Sequence, residues 1–201
     1  AEERGLELGG STAAVVGASG TIGLAMAGML APLVRKLILV GQREIRVSQA
    51  RAQAEAAGAS EVRVWTEIEP LVEADIVVTA TSAYHPIVGP DALKRGALVC
   101  DIAVPPDVTE AVRKTRPDVE LINGTMVEMP GTVELGFDLG YPDGQVRAGL
   151  AEAMVLALEG RYQSMSLGQR VYVDQIEELL TAARRHGFRL PDRRSLQLIE
   201  P

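Results

Sequence analysis

The chain has 201 residues with 20 Lys and Arg against 27 Asp and Glu, and its formal charge of −7 gives it the wrong sign for a protein whose main partner is duplex DNA or RNA. A hydrophobic share of 47% excludes disorder, while two Phe, four Tyr and one Trp are too few for a base-stacking surface. One cysteine, Cys100, two distant histidines, His85 and His186, and no apolar run near the roughly 20 residues of a spanning helix leave no basis for a disulfide within the chain, a metal site or a membrane span.

This is the composition of a cytoplasmic chain. Residues 1–6 read as the end of a helix, and the start without Met suggests a piece of a longer protein whose upstream substrate domain is missing. Residues 12–17 form a short β-type run, followed by a glycine turn and an apolar helix. Residues 36–41 read as a second strand, and 43–57 as a polar, Ala-rich helix closed by Gly58. Further strands are expected at 62–66, 75–80, 97–104 and 119–122. Continuous apolar runs separated by helical spacers imply an α/β fold, a doubly wound parallel sheet of the Rossmann type covered on both faces. The dinucleotide-binding domain is expected to span 1–160 and a helical extension 161–201. In residues 145–158, Val146, Leu150, Met154 and Leu158 recur at four-residue steps, as do Val173, Ile176, Leu180 and Ala183 within 172–186, which Gly187 would stop. These two amphipathic helices are expected to pack back on the sheet or to form a homo-oligomer contact.

The glycines Gly17, Gly20 and Gly23 fall at the first strand–helix junction, spaced three and three instead of in the G-x-G-x-x-G pattern. Gly17 would let the chain turn, Gly20 would let the backbone approach a pyrophosphate, and Gly23 would let the helix press on the strand. The backbone N–H groups of Ser19, Gly20, Thr21 and Ile22 would then face the phosphates at a helix N-terminus. The plainer alternative is a tight turn. The second strand ends in Gly41, Gln42 and Arg43, with Arg46 one turn on. No acid stands at the tip to take ribose hydroxyls, so NADPH, through its 2′-phosphate, fits better than NADH, with Glu44 as the contrary sign.

Two stretches carry resemblances. Residues 74–82, 84–88 (YHPIV) and 100–107 (CDIAVPPD) resemble the nucleotide-binding domain of the shikimate dehydrogenase and glutamyl-tRNA reductase group. The ordered segments VVGASGTIG, LILVGQRE, 120–128, 151–160 and 183–189 resemble the C-terminal part of long-chain fatty acyl-[acyl carrier protein] reductases, over almost the whole chain. That resemblance implies a reductase that passes hydride from NADPH to an acyl thioester and releases an aldehyde and a thiol. In that family the reactive cysteine stands two residues before the Ala-Glu-Ala-Met stretch; here that position is Gly149, which cannot form an acyl-enzyme. Cys100, inside an apolar strand, reads as a small buried hydrophobe. Three routes stay open: hydride delivery without a covalent acyl-cysteine, a nucleophile elsewhere in a longer protein, or a silent cofactor-binding module that docks a partner. A polyol or keto-acid dehydrogenase of the shikimate or quinate kind is a further alternative.

Thr81 and Ser82 end the fourth strand, at the carboxyl edge where open α/β sheets bind ligands, and are either cofactor contacts or an ordinary turn. His85 is the candidate proton donor to a developing alkoxide. Ala103 and Val104 end the fifth strand near the expected nicotinamide, and Asn123 with Gly124 ends the sixth, where the side-chain amide would hold a carboxamide or make a turn. Arg184, Arg185, Arg189, Arg193 and Arg194 form a basic cluster on an acidic chain, suited to docking an acidic carrier protein or simply solvated.

Overall fold

Thr12–Val16 forms β1, and all five residues are buried. Because side chains alternate across a strand, a segment buried throughout must be covered on both faces. Ala13 and Val15 join Leu37, Leu39 and Ile76 in one core, and Ala14 and Val16 join Ile38, Val40 and Val77 in another. The computed structural model describes residues 5–132, 136, 140–162 and 173–191.

The chain continues through α1 (Thr21–Leu30), β2 (Lys36–Val40), α2 (Glu44–Ala56), β3 (Val62–Trp65), β4 (Ile76–Thr79), β5 (Leu98–Asp101), α3 (Glu110–Thr115) and β6 (Glu120–Asn123). The strands form a six-stranded sheet in the order β3-β2-β1-β4-β5-β6. Val16 stands beside Val40 and Thr79, and Thr79 beside Asp101, all in parallel register. This is the doubly wound Rossmann-type architecture expected from the sequence. The chain winds outward from β1 to β3 and then returns to β4, so the crevice opens at the carboxyl ends of β1 and β4. On α1 the buried residues are Gly23 and Ala27, one turn apart, which lets the helix lie close to the sheet.

The chain divides into two compact units, Ala1–Ile122 and Asn123–Pro201, so the division falls well before residue 160. The reason lies in the second unit's own core. There β7 (Met126–Glu128) pairs antiparallel with β8 (Gln145–Arg147), and α4 (Ala148–Leu158) and α5 (Val173–Arg185) follow. Met129, Val146, Ala151, Val155, Ala182 and Phe188 pack together. The expected helix from Gln145 therefore starts three residues late: Val146 is used in the strand pair, opposite Val127. Its expected stripe is also displaced, because Ala151 and Val155 are buried while Leu150 and Leu158 are 39% and 58% exposed. Gly187, at φ +83°, follows α5 as expected. Among the described residues, no helix is long and apolar enough to cross a membrane.

Candidate functional site

The carboxyl ends of β1 to β4 enclose a cleft of about 880 Å³. Its wall is built in four pieces: the turn after β1 (Gly17, Ser19, Gly20), the tip of β2 (Gly41, Gln42, Arg43, with Arg46), residues 66–69 after β3, and the segment after β4 that carries Thr81, Ser82 and His85.

The turn after β1 is fixed by close backbone approach. Gly17 has φ +84°, and a Cβ there would lie 2.6 Å from the Ala80 carbonyl oxygen, which excludes a side chain on two grounds. At Gly23 a Cβ would lie 2.1 Å from the Gly17 carbonyl oxygen. The roles expected for these two glycines therefore correspond to specific contacts. Gly20 is less crowded, with a Cβ 3.3 Å from the Gly17 oxygen, and its N–H closes the turn on that oxygen at 2.9 Å. Gly41 contributes as well: a Cβ there would meet Val47 Cγ2 at 2.8 Å and Ser19 Oγ at 3.2 Å. Thr21 and Ile22 form the first turn of α1, and no side chain caps it at Gly20. Among the described residues its first N–H groups thus carry no side-chain cap and can face an anionic ligand.

Arg43 and Arg46 both line the cleft and are exposed, and neither has an ion-pair partner among the described residues. Glu44, the contrary sign at this tip, does not line it, although Glu67 and Glu69 do. His85 is exposed at the cleft, with no hydrogen-bond partner among the described residues.

Beneath the β4 segment lies a pair of buried carboxylates. Asp101, at the end of β5, accepts from Thr79 Oγ1 at 2.8 Å, Ala103 N–H at 3.0 Å and Val108 N–H at 3.0 Å. Asp107 accepts from the Thr81 hydroxyl, and from Thr81 N–H at 3.0 Å. Burial pushes the Asp107 carboxyl above its ordinary range; the Thr81 hydrogen bonds oppose this and Asp101 adds to it. The sequence pattern did not single out either acid, since their partners are brought in by the parallel pairing of β4 with β5.

The other expected site residues stand elsewhere. Ala103 is buried with its N–H committed to Asp101, Val104 is 56% exposed, and neither lines the cleft. Asn123 Oδ1 accepts from Thr125 N–H at 2.9 Å and Thr125 Oγ1 at 2.6 Å, closing a turn over Gly124. In the basic cluster, Arg185 Nη1 is bound to Glu159 at 3.1 Å, which also takes His186 Nε2 at 2.7 Å, and the Arg189 backbone pairs with Glu128. Arg184 is exposed, while Arg193 and Arg194 lie outside the described residues. Cys100 is half-buried in β5, and burial, with Asp101, pushes its thiol up to about 11. Among the described residues, no three His, Cys, Asp or Glu side chains stand close enough to hold a metal ion.

A nicotinamide dinucleotide fits this cleft. The turn after β1 and the tip of β2 pack so closely at Gly17 and Gly41 that neither position has room for a side chain, no side chain caps α1 at Gly20, and among the described residues the Arg43 and Arg46 guanidinium groups beside the cleft have no ion-pair partner.

Comparison with known proteins agrees. The family model described as shikimate / quinate 5-dehydrogenase matches residues 1–123. The aminotransferase PigE of Serratia sp. (strain ATCC 39006) is 36% identical over 115 residues, 56% of this chain and 13% of that protein. The long-chain acyl-[acyl-carrier-protein] reductase of Synechococcus elongatus is 27% identical over 196 residues, 94% of this chain and 55% of that protein. The glutamyl-tRNA reductase of Sorangium cellulosum is 34% identical over 117 residues, 54% of this chain and 21% of that protein. The chain thus spans little more than half of the second of these relatives and far less of the other two.

Proposed function

The chain belongs to the shikimate / quinate 5-dehydrogenase family, and from that premise we propose that it serves an NADPH-dependent reduction of an activated acyl group, taking an acyl thioester on a carrier protein or coenzyme A to an aldehyde. The observation that carries this reading is the span of one similarity. The match to the long-chain acyl-[acyl-carrier-protein] reductase takes in 94% of the chain and so extends through the second unit, whereas the family match ends at residue 123.

Arg43 and Arg46 hold the 2′-phosphate, which distinguishes NADPH from NADH, and the free N–H groups at the start of α1 take the pyrophosphate. Thr81 and Ser82 line the opposite wall against the ribose and nicotinamide. When bound, NADPH would supply a hydride. His85 would protonate the oxygen of the tetrahedral adduct and take that proton back as the C=O bond reforms, and the proton passes to the sulfur as the carbon–sulfur bond breaks, so that the carrier leaves as a thiol. The route has no covalent acyl-cysteine at Gly149, in the first turn of α4. Cys100 is no substitute, because its raised pKa leaves little thiolate at neutral pH. An acidic carrier would dock at Arg184 and Arg189, Arg185 being already neutralised by Glu159.

The test is incubation of the protein with acyl-carrier and acyl-coenzyme A thioesters and NADPH, following NADPH oxidation and trapped aldehyde. Aldehyde with stoichiometric free thiol is expected. Tight NADPH binding with no thioester reduced at any chain length would refute the proposal. NADP-dependent oxidation of shikimate or quinate would favour the second reading, which family membership supports. Inactivity on both would leave a module that binds cofactor and a partner without chemistry.

A further inference from the structure

Asp107 is fully buried, and a carboxylate placed there costs several kcal/mol unless its oxygens are satisfied. Both oxygens are satisfied by one residue, Thr81, through its N–H and its hydroxyl. The Asp107 carbonyl oxygen also accepts from Ile87 N–H at 2.8 Å and Val88 N–H at 2.9 Å. A single residue therefore clasps both ends of the segment from 81 to 88 that forms one wall of the cleft and carries Ser82 and His85. The clasp is itself anchored, because the neighbouring Val108 N–H is bound to Asp101 at the end of β5. Rigid strands, a buried acid and then a buried clasp lead from the sheet to a segment whose own side chains at 82 and 84–87 are exposed.

We propose that Asp107 is the positioning residue of the cofactor cleft: its carboxylate fixes Thr81 and, through it, the wall that meets the dinucleotide. This rests on the reading of the cleft as a nicotinamide-dinucleotide site. The clasp also sets the chemistry that Thr81 can offer. Its hydroxyl proton is committed to Asp107, and one lone pair accepts from Ala83 N–H at 3.1 Å. What remains is a single lone pair. Thr81 is thus an acceptor toward the ligand and meets a donor, such as a ribose hydroxyl or a carboxamide N–H, in preference to a phosphate oxygen.

The experiment is an NADPH titration of wild type, Asp107→Asn, Asp107→Ala, Thr81→Val and the Asp107→Ala/Thr81→Val pair, at a temperature where circular dichroism shows every variant folded. Asp107→Ala should weaken NADPH binding at least tenfold. Asp107→Asn should recover part of that loss, because its amide oxygen still accepts Thr81 N–H while its amide nitrogen cannot accept the hydroxyl. The double variant should lose less than the two single losses combined, since both changes break the Thr81–Asp107 link. A merely structural role would lower the melting temperature and leave the Kd of the folded protein unmoved. Binding by folded Asp107→Ala within twofold of wild type, or simple addition of the two single losses, would overturn the proposal. If Asp107→Ala does not fold, Asp107→Asn and Thr81→Val complete the same cycle. Wild-type protein that takes up neither NADPH nor NADH would remove the underlying cofactor reading, and the proposal with it.

Discussion

A methyl group at Gly23 has nowhere to go. Its Cβ would lie 2.1 Å from the Gly17 carbonyl oxygen, 2.7 Å from the Gly17 carbonyl carbon and 3.0 Å from Ala18 Cα. All three are backbone atoms that no rotamer change can clear. Carbon contacts settle near 3.5–4.0 Å, so the first turn of α1 must retreat from β1 by about 1 Å. Overpacking of this kind costs about 1–3 kcal/mol, and rigid neighbours place Gly23→Ala at the upper end. The better helix propensity of Ala returns about 0.8–1 kcal/mol. The net loss, about 2 kcal/mol, corresponds to a melting temperature lower by about 4–8 °C for a chain of this size. The same retreat moves the N–H groups proposed to hold the pyrophosphate, so NADPH binding should fall at least about tenfold, the equivalent of one charge-assisted hydrogen bond. Gly28→Ala is the internal control. It lies in the same helix with nothing within 4 Å of its Cβ, so it should gain the propensity term alone and melt about 2–4 °C higher. Thermal melts by circular dichroism with parallel NADPH titrations measure both. A Gly23→Ala protein that melts with or above wild type and binds NADPH equally well would refute the packing argument.

Three further outcomes follow from other parts of the molecule. Arg43→Ala/Arg46→Ala should lose at least about tenfold in NADPH affinity with NADH affinity little changed, and a parallel fall for both cofactors in titrations would argue against recognition of the 2′-phosphate there. Gly149→Cys should fold normally, since a Cβ at that position meets nothing within 4 Å, and should gain labelling by acyl thioesters detectable by mass spectrometry. Absence of labelling would separate α4 from the proposed acyl chemistry. Glu159 is held below its ordinary value of 4.5 by its hydrogen bond with His186, against burial and with help from Arg185. A depressed carboxyl stabilises above its unfolded pKa and loses that contribution as the pH falls through the folded value. Acid melts of wild type should therefore fall away below about pH 4.5, while Glu159→Gln should show a flatter profile there; identical profiles would contradict the linkage.

Most of the sheet was legible because each strand is a short apolar run bounded by turn residues, and burial on both faces removes the ambiguity of alternation. The glycine turn was legible for the same local reason, with the roles of Gly17 and Gly23 fixed by two backbone contacts. The start of α4 was not, because Gln145–Arg147 satisfies a helical spacing as readily as a strand, and only the pairing with β7 decides between them. The face α4 buries was misread because Leu150 and Leu158 are larger than Ala151, yet the small residue is the one that faces Val146, Ala182 and Phe188. In the cleft, single residues next to a motif were readable and long-range partners were not. Asp107 lies 26 positions from Thr81 and carries no local signature, and only the neighbouring ends of β4 and β5 bring the two together.

The most direct test of the central claim is an equilibrium titration of the unmodified chain with NADPH and with NADH, read by calorimetry. A saturable site of one NADPH per chain, at least about tenfold tighter than NADH, is predicted from the unpaired guanidinium groups of Arg43 and Arg46. Binding of neither cofactor, or tighter binding of NADH, would contradict it.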